Sequence, residues 1–219
     1  MKGKFQEIQL LKKVQEELRN LVITINKLQD YKYIGGCDVS YRGDEGVGVF
    51  VVFNRQFKLL DVAIVKRKVD FPYIPGYLAF REVPFLIDSY NRLQLKPDIV
   101  LVDGQGIAHP RGFGVASHFG VLLNIPTIGV AKSRLYGHCE MPEPVRGNFT
   151  YLRDENNNII GACLVTKDRS KPIYVSIGHL VDLDTAIRVV LENTLHYKLP
   201  EPLRVAHLYT QRENRRSYE

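Results

Sequence analysis

The chain has 219 residues, of which 45% are apolar and 25% charged, a balance ordinary for one large soluble domain with a substantial interior. No run approaches the length a membrane-spanning helix needs, and the polar, charged start lacks the apolar segment of a secretory leader. The net charge of +6, from 30 basic and 24 acidic residues, favours a polyanionic partner, although a basic surface kept for solubility gives the same balance. Cys37, Cys139 and Cys163 are odd in number and widely spaced. They suggest neither a zinc site nor a disulfide framework, so a reducing, cytoplasmic setting is expected.

Residues 4–30 predict an amphipathic helix. Phe5, Ile8, Leu11, Val14, Leu18, Leu21, Val22, Ile25 and Leu28 recur at steps of three and four between Lys, Glu and Gln. It is expected outside the core, with no catalytic role. Three strands are predicted next, at 33–41, 46–54 and 59–69, with turns at Gly43-Asp44-Glu45-Gly46 and Asn54-Arg55-Gln56, hence an antiparallel meander. Residues 46–53 carry no charge, so the middle strand is expected to be buried on both faces. A helix is predicted over 83–93, with Pro84 in its first turn.

Residues 99–102 are an apolar run too short for a helix, and they end abruptly at Asp103. A loop through Gly104, Gly106, His109, Pro110 and Gly112 leads to a predicted helix over 113–123, stopped by Asn124 and Pro126. A second buried strand is predicted at 127–131. Strand, helix, strand in that order implies a right-handed crossover and a parallel pair. Beyond Lys132, the pattern predicts a hairpin from 151–153 and 159–166, a strand at 173–177 and a helix over 184–197. Leu199-Pro200-Glu201-Pro202 is expected to end that helix. Residues 210–219 are expected to form a mobile tail of a single domain spanning 1–219.

A three-stranded meander, then helix, strand, helix, strand and a later helix, is the connectivity of the ribonuclease-H-like fold. This is a mixed α/β sheet covered by helices on both faces, with its first and fourth strands adjacent; topology alone leaves it an analogy. Asp38 lies inside the first predicted strand, where aspartate is depleted, and either carries chemistry or bonds a turn backbone. Asp103 stands where open α/β sheets place their chemistry, or is simply part of an Asp-Gly turn. Glu82 precedes Pro84 and is either a site acid or a favourable first-turn acid. If strands one and four are neighbours, Asp38 and Asp103 face each other across about 5 Å, with Glu82 approaching from its helix.

Three clustered carboxylates raise one another's pKa values, and a hard divalent cation such as Mg²⁺ resolves that conflict. Such a metal would promote in-line displacement at a phosphodiester. Lys132 follows the strand at 127–131 and so shares an edge with Asp103, as a phosphate-neutralising cation or as a solvated strand-end lysine. His109, on the loop after Asp103, is a candidate to hold a water or a phosphate, whereas His118 reads as core or surface and His207 is unplaceable by periodicity. Pro72-Tyr73-Ile74-Pro75 fixes φ on both sides of an aromatic residue. It presents Tyr73 as a rigid wedge for the gap left by a flipped base, or is a stiff connection buried by Phe71 and Tyr77.

Five motifs, in order, resemble the endonuclease V family, the deoxyinosine-specific repair nucleases. They are Gly36-Cys37-Asp38-Val39-Ser40-Tyr41, the run from Pro72 to Glu82, the run from Val102 to Arg111, Gly129-Val130-Ala131-Lys132, and the run from Pro200 to His207. The resemblance implies the ribonuclease-H-like fold, a Mg²⁺ requirement with Mn²⁺ as substitute, and cleavage at the second phosphodiester 3′ to hypoxanthine. The products would carry a 3′-hydroxyl and a 5′-phosphate. It implies Asp38, Glu82 and Asp103 as metal-binding acids with His207 beside them, Lys132 as charge stabiliser, and Tyr73 within Pro72–Pro75 as strand-separating wedge. The hypoxanthine pocket would be formed by Gly76, Leu78, Gly104, Gly106 and Gly114, with His109 and Leu135 at its edge. DNA containing deoxyinosine is the expected partner and a monomer the expected state. The alternatives are an endonuclease acting on inosine-containing RNA, a non-catalytic lesion-binding module, and a phosphate-binding α/β protein. The last lacks a G-x-x-x-x-G-K-[ST] loop to support it.

Overall fold

The computed structural model describes residues 2–216. Eight strands form one mixed sheet in the order β3-β2-β1-β4-β5-β8-β7-β6. The meander is β1 (Tyr33–Arg42), β2 (Glu45–Asn54) and β3 (Leu59–Lys68), followed by β4 (Ile99–Asp103) and β5 (Thr127–Ala131). β1, β4 and β5 run parallel. β8 (Ile173–His179) returns antiparallel to β5 and is extended by β7 (Ile159–Leu164) and β6 (Phe149–Arg153).

Alternation along the strands sorts the core into two layers. Val49 and Val51 of β2 and Ile99 and Leu101 of β4 share one layer with Val189, Val190, Leu203 and Ala206. Phe50 and Val52, with Val100 and Val102, share the other with Val83, Leu86, Ala116 and Phe119. The charge-free stretch 46–53 is therefore buried throughout, because helices cover both faces. Among the described residues, no helix is long and apolar enough to cross a membrane.

Several expectations are corrected. The first helix, α1 (Lys2–Arg19), stops eleven residues before residue 30. Val22-Ile23-Thr24-Ile25 is a run of four β-branched residues, unfavourable in a helix. That segment instead passes, without regular secondary structure, beside Leu180, whose N–H donates to the Ile23 carbonyl at 2.7 Å. α2 (Leu78–Arg92) begins five residues earlier than expected, so Pro84 lies inside it and Glu82 is one full turn into the helix. Pro84 removes one helical hydrogen bond, while Ala79, Val83, Phe85 and Leu86 bury the inner face. α3 (Val115–Leu123) follows the expected course.

α4 (Leu183–Glu192) ends before residue 197. There Asn193 and Thr194 turn their side chains back onto the Val189 and Val190 carbonyls, competing with helix continuation. The largest correction is α5 (Glu201–Arg216). Pro200-Glu201-Pro202 starts this helix rather than ending the previous one, since proline is tolerated in a first turn. Leu203, Ala206 and Thr210 are its buried face. Residues 210–216 are helical, and the mobile-tail expectation for 217–219 lies outside the described residues.

Cys139 and Cys163 are joined in a disulfide with a Cα–Cα distance of 6.7 Å, leaving Cys37 as the buried free thiol. The expected absence of any disulfide is thus overturned. The His138–Arg153 bridge carries the segment back beside the β6–β7 hairpin, a long-range closure that cysteine spacing does not encode.

α5 crosses β1 at Gly36, where a Cβ would collide with the Pro202 backbone. Gly36→Ala is expected to lower unfolding stability by about 1–3 kcal/mol, the usual cost of overpacking. Urea denaturation checks this, and an unchanged midpoint would mean that α5 docks without this contact.

Candidate active site

Cys37 pairs with Val102 as the last register pair of the parallel β1–β4 ladder. The next residue on each strand is an aspartate, Asp38 and Asp103. Parallel pairing makes this proximity unavoidable, as both chains leave the ladder in the same direction. Asp38 is only 8% exposed. Its Oδ2 accepts from Thr210 Oγ1 at 2.9 Å and lies 2.9 Å from His207 Nδ1. Both partners come from consecutive turns of α5. A carboxylate only accepts, so Nδ1 carries the proton in this pair.

Burial pushes the Asp38 carboxyl above its ordinary range, the Asp103 charge pushes it further, and the His207 and Thr210 hydrogen bonds oppose both. Glu82 is held well above the usual range by burial first, then by Asp38 and Asp103. Lys132, just past β5, donates from Nζ to Asp103 Oδ2 at 2.9 Å. Donor atoms of Asp38, Asp103 and His207 all lie within 4.8 Å of one another. Two carboxylate oxygens and one imidazole nitrogen suit a divalent cation. Glu82 stands outside that tight group but lines the same cleft with Asp38 and Asp103.

A family model for endonuclease V matches residues 16–208. The chain belongs to the endonuclease V family. An endonuclease V from Trichormus variabilis is 47% identical over 197 residues, covering 88% of this chain and 89% of its own. The crystal structure of an endonuclease V from Streptomyces avermitilis aligns with a TM-score of 0.91 at 36% identity, covering 96% of this chain and 94% of that one. A Ciona intestinalis endonuclease V, bound to a 24mer DNA containing an inosine followed by a ribo-adenosine, aligns with a TM-score of 0.86 at 32% identity, over 96% of this chain and 99% of that one. The ribonuclease-H-like fold expected from strand order is thus the fold of the endonuclease V structures.

The remaining endonuclease V-like positions surround a cleft of about 410 Å³ that opens beside the acids, a size typical of small-ligand sites. Tyr73, Gly76, Leu78, Gly104, His109, Gly114 and Leu135 line it. Tyr73 and Leu135 are exposed on its rim, at 66% and 54%. Tyr77 is buried, as the stiff-connection reading expects, yet the same loop holds Tyr73 in solvent, so the two readings are compatible. Pro72, Ile74 and Pro75 flank Tyr73 without lining the cleft. Gly106 does not line it either: its N–H donates to Ser176 Oγ at 2.8 Å, and a Cβ there would collide with the Ile177 carbonyl.

His109 is buried, and its pKa is pushed down to about 4 by burial first and then by the Arg111 charge. A neutral imidazole whose Nδ1 accepts from the Arg111 N–H at 3.2 Å is a cleft wall rather than a phosphate-holding cation. His118 is core, stacked near Phe80 and Phe113. Sequence reasoning missed Thr210 and Gln15. Thr210, three positions beyond His207, could be placed only once the segment after Pro200 was known to be a helix; for Gln15, inside an amphipathic stretch, no local signal existed.

The acid crowding has a measurable sign. A carboxyl whose folded pKa is raised costs nothing below its ordinary pKa and destabilises progressively as pH rises through the folded value. In EDTA at pH 8, Glu82→Gln is expected to raise the melting temperature by at least about 2–4 °C, the shift produced by about 1 kcal/mol in a chain this size. At pH 4 the gain should vanish. Equal gains at both pH values would show that the effect is not electrostatic.

Proposed function

We propose that this chain is a Mg²⁺-dependent endonuclease that recognises hypoxanthine in DNA and hydrolyses the second phosphodiester on its 3′ side, leaving a 3′-hydroxyl and a 5′-phosphate. The observation that carries this reading is the union of two features in one cleft: a carboxylate–imidazole cluster at the β1–β4 edge, and an exposed tyrosine on a proline-flanked loop at the rim. Asp38, Asp103 and His207 would hold the ion, with Glu82 beside them. The cation supplies charge neutralisation and Lewis acidity at the scissile phosphate. Mn²⁺ would serve in its place.

The chain's own groups do the rest. Thr210 and His207 fix the Asp38 carboxylate in one orientation. Lys132 uses one ammonium hydrogen on Asp103 and keeps two for phosphate oxygens. Tyr73 fills the vacancy left by the flipped nucleotide, and hypoxanthine pairs weakly enough to make that extrusion cheap. The cleft walls at Gly76, Leu78, Gly104, Gly114, His109 and Leu135 receive the base, and backbone groups read its 6-oxo and N1–H edge. Gly106 supports these walls from behind.

A second reading is supported by the Ciona complex, whose DNA carries a ribo-adenosine directly after the inosine. A tolerated 2′-hydroxyl at that position favours inosine-containing RNA as a substrate.

Nicking of a labelled duplex with one deoxyinosine, mapped at nucleotide resolution with and without Mg²⁺, tests the main reading, and a matched RNA oligonucleotide tests the second. Absence of metal-stimulated cleavage on either would leave a lesion-binding module. Asp103→Ala is expected to cost about three orders of magnitude or more in nicking rate, as befits several kcal/mol of transition-state stabilisation, with inosine binding retained. Full cleavage by that variant in Mg²⁺ would sink the metal assignment. Tyr73→Ala is expected to weaken inosine-duplex affinity about five- to 150-fold, the range for loss of one stacking aromatic. An unchanged affinity would remove the wedge role.

A further inference from the structure

Among the described side chains of α1, only Gln15 is fully buried, at 1% exposure. Lys12, Lys13, Glu16 and Glu17 form ion pairs one turn apart on the solvent side. A helix whose single buried side chain is polar is unusual, because a buried amide is costly unless both its ends are bonded. Here both are. Gln15 Oε1 accepts from Arg111 Nε at 2.5 Å, and Gln15 Nε2 donates to the Gly76 carbonyl at 3.2 Å.

Arg111 donates to that same carbonyl, and its guanidinium stacks 4.3 Å from the centroid of the Tyr77 ring. Its backbone N–H is tied to His109. Gly76 has φ +80°, and a Cβ there would come within 2.7 Å of the Arg111 guanidinium. One amide therefore joins the N-terminal helix, the loop after β4 and the residue that ends the Pro72–Pro75 segment. Gln15 itself also lines the cleft.

We infer that Gln15 is a positioning residue: through Arg111 and the Gly76 carbonyl it latches the base of the wedge loop and so aims Tyr73. Tyr73 is exposed, and its side chain makes no hydrogen bond among the described residues. Its direction is inherited from the anchored Gly76 and Tyr77 through Ile74 and Pro75, whose φ is fixed, while Pro72 restrains the chain on the other side of Tyr73. α1 thus belongs to the recognition machinery although it touches none of the acids. The inference rests on the wedge role proposed for Tyr73 above.

A double-mutant cycle tests it. The quantity read is the ratio of affinities for a deoxyinosine duplex and the matched undamaged duplex, in EDTA, for Gln15→Ala, Tyr73→Ala and the double variant. Gln15→Ala is expected to lower the ratio about three- to tenfold, the scale of one anchoring hydrogen bond. In the Tyr73→Ala background the same change should lower it less than about twofold, since coupled residues do not add. Gln15→Glu keeps the acceptor for Arg111 but loses the donor to the Gly76 carbonyl, so it should also lower the ratio, by about two- to tenfold, and it provides the measurement if the alanine variant does not fold. Independent, multiplying effects would overturn the latch, as would a lowered melting temperature with an unchanged ratio. If Tyr73→Ala alone leaves the ratio unchanged, the wedge reading falls and the latch falls with it. A Tyr73→Ala effect without a Gln15 effect overturns the latch alone.

Discussion

Two parallel strands that leave their ladder at the same level, each with an aspartate as its next residue, impose the constraint around which this molecule is built. Neither Asp38 nor Asp103 can retreat, because Cys37 and Val102 beneath them are wholly buried and paired. Glu82 adds a third acid from α2. The surrounding structure answers this concentration of negative charge with cations and donors brought from distant parts of the chain. Lys132 comes from the end of β5, and His207 and Thr210 come from α5. Burial first, and then the acids' mutual repulsion, still hold the Asp38 and Glu82 carboxyls above their ordinary range. An apolar replacement of this cluster would often be more stable.

The opposite side of the cleft is organised by restraint rather than by charge. Prolines, a left-handed glycine and a stacked arginine stiffen a segment that carries an aromatic ring into solvent. His109 is kept neutral by burial and by the Arg111 charge, so it contributes shape and a hydrogen-bond acceptor to the wall instead of an electrostatic pull. Charge on one side and rigidity on the other suit a substrate that is anionic along its backbone and flat at its bases.

Much of this was legible in the sequence, for identifiable reasons. The meander and the two parallel strands announce themselves because β2, β4 and β5 are buried on both faces, which leaves uninterrupted apolar runs. Asp103 and Lys132 follow, since each sits at or just past a visible strand end, and Asp38 stands out as an acid inside a strand. α5 was not legible: its prolines resemble a stop signal, and its buried face is Leu203, Ala206 and Thr210, too small and too polar for a clear amphipathic pattern. His207 therefore had a motif but no place until α5 was found. The first helix failed in the opposite direction, because Val22–Ile25 keeps an apolar spacing while its β-branched side chains oppose the helical backbone. The Cys139–Cys163 closure and the Gln15 contacts are tertiary facts with no local signature.

The 169-residue separation between Asp38 and His207 has a temporal meaning. During synthesis the segment carrying Asp38 emerges early, whereas the residues that orient its carboxylate emerge only with α5. A chain interrupted between residues 103 and 207 holds the three acids without their α5 partners. The orientation of the Asp38 carboxylate therefore depends on the last helix of the chain to be made.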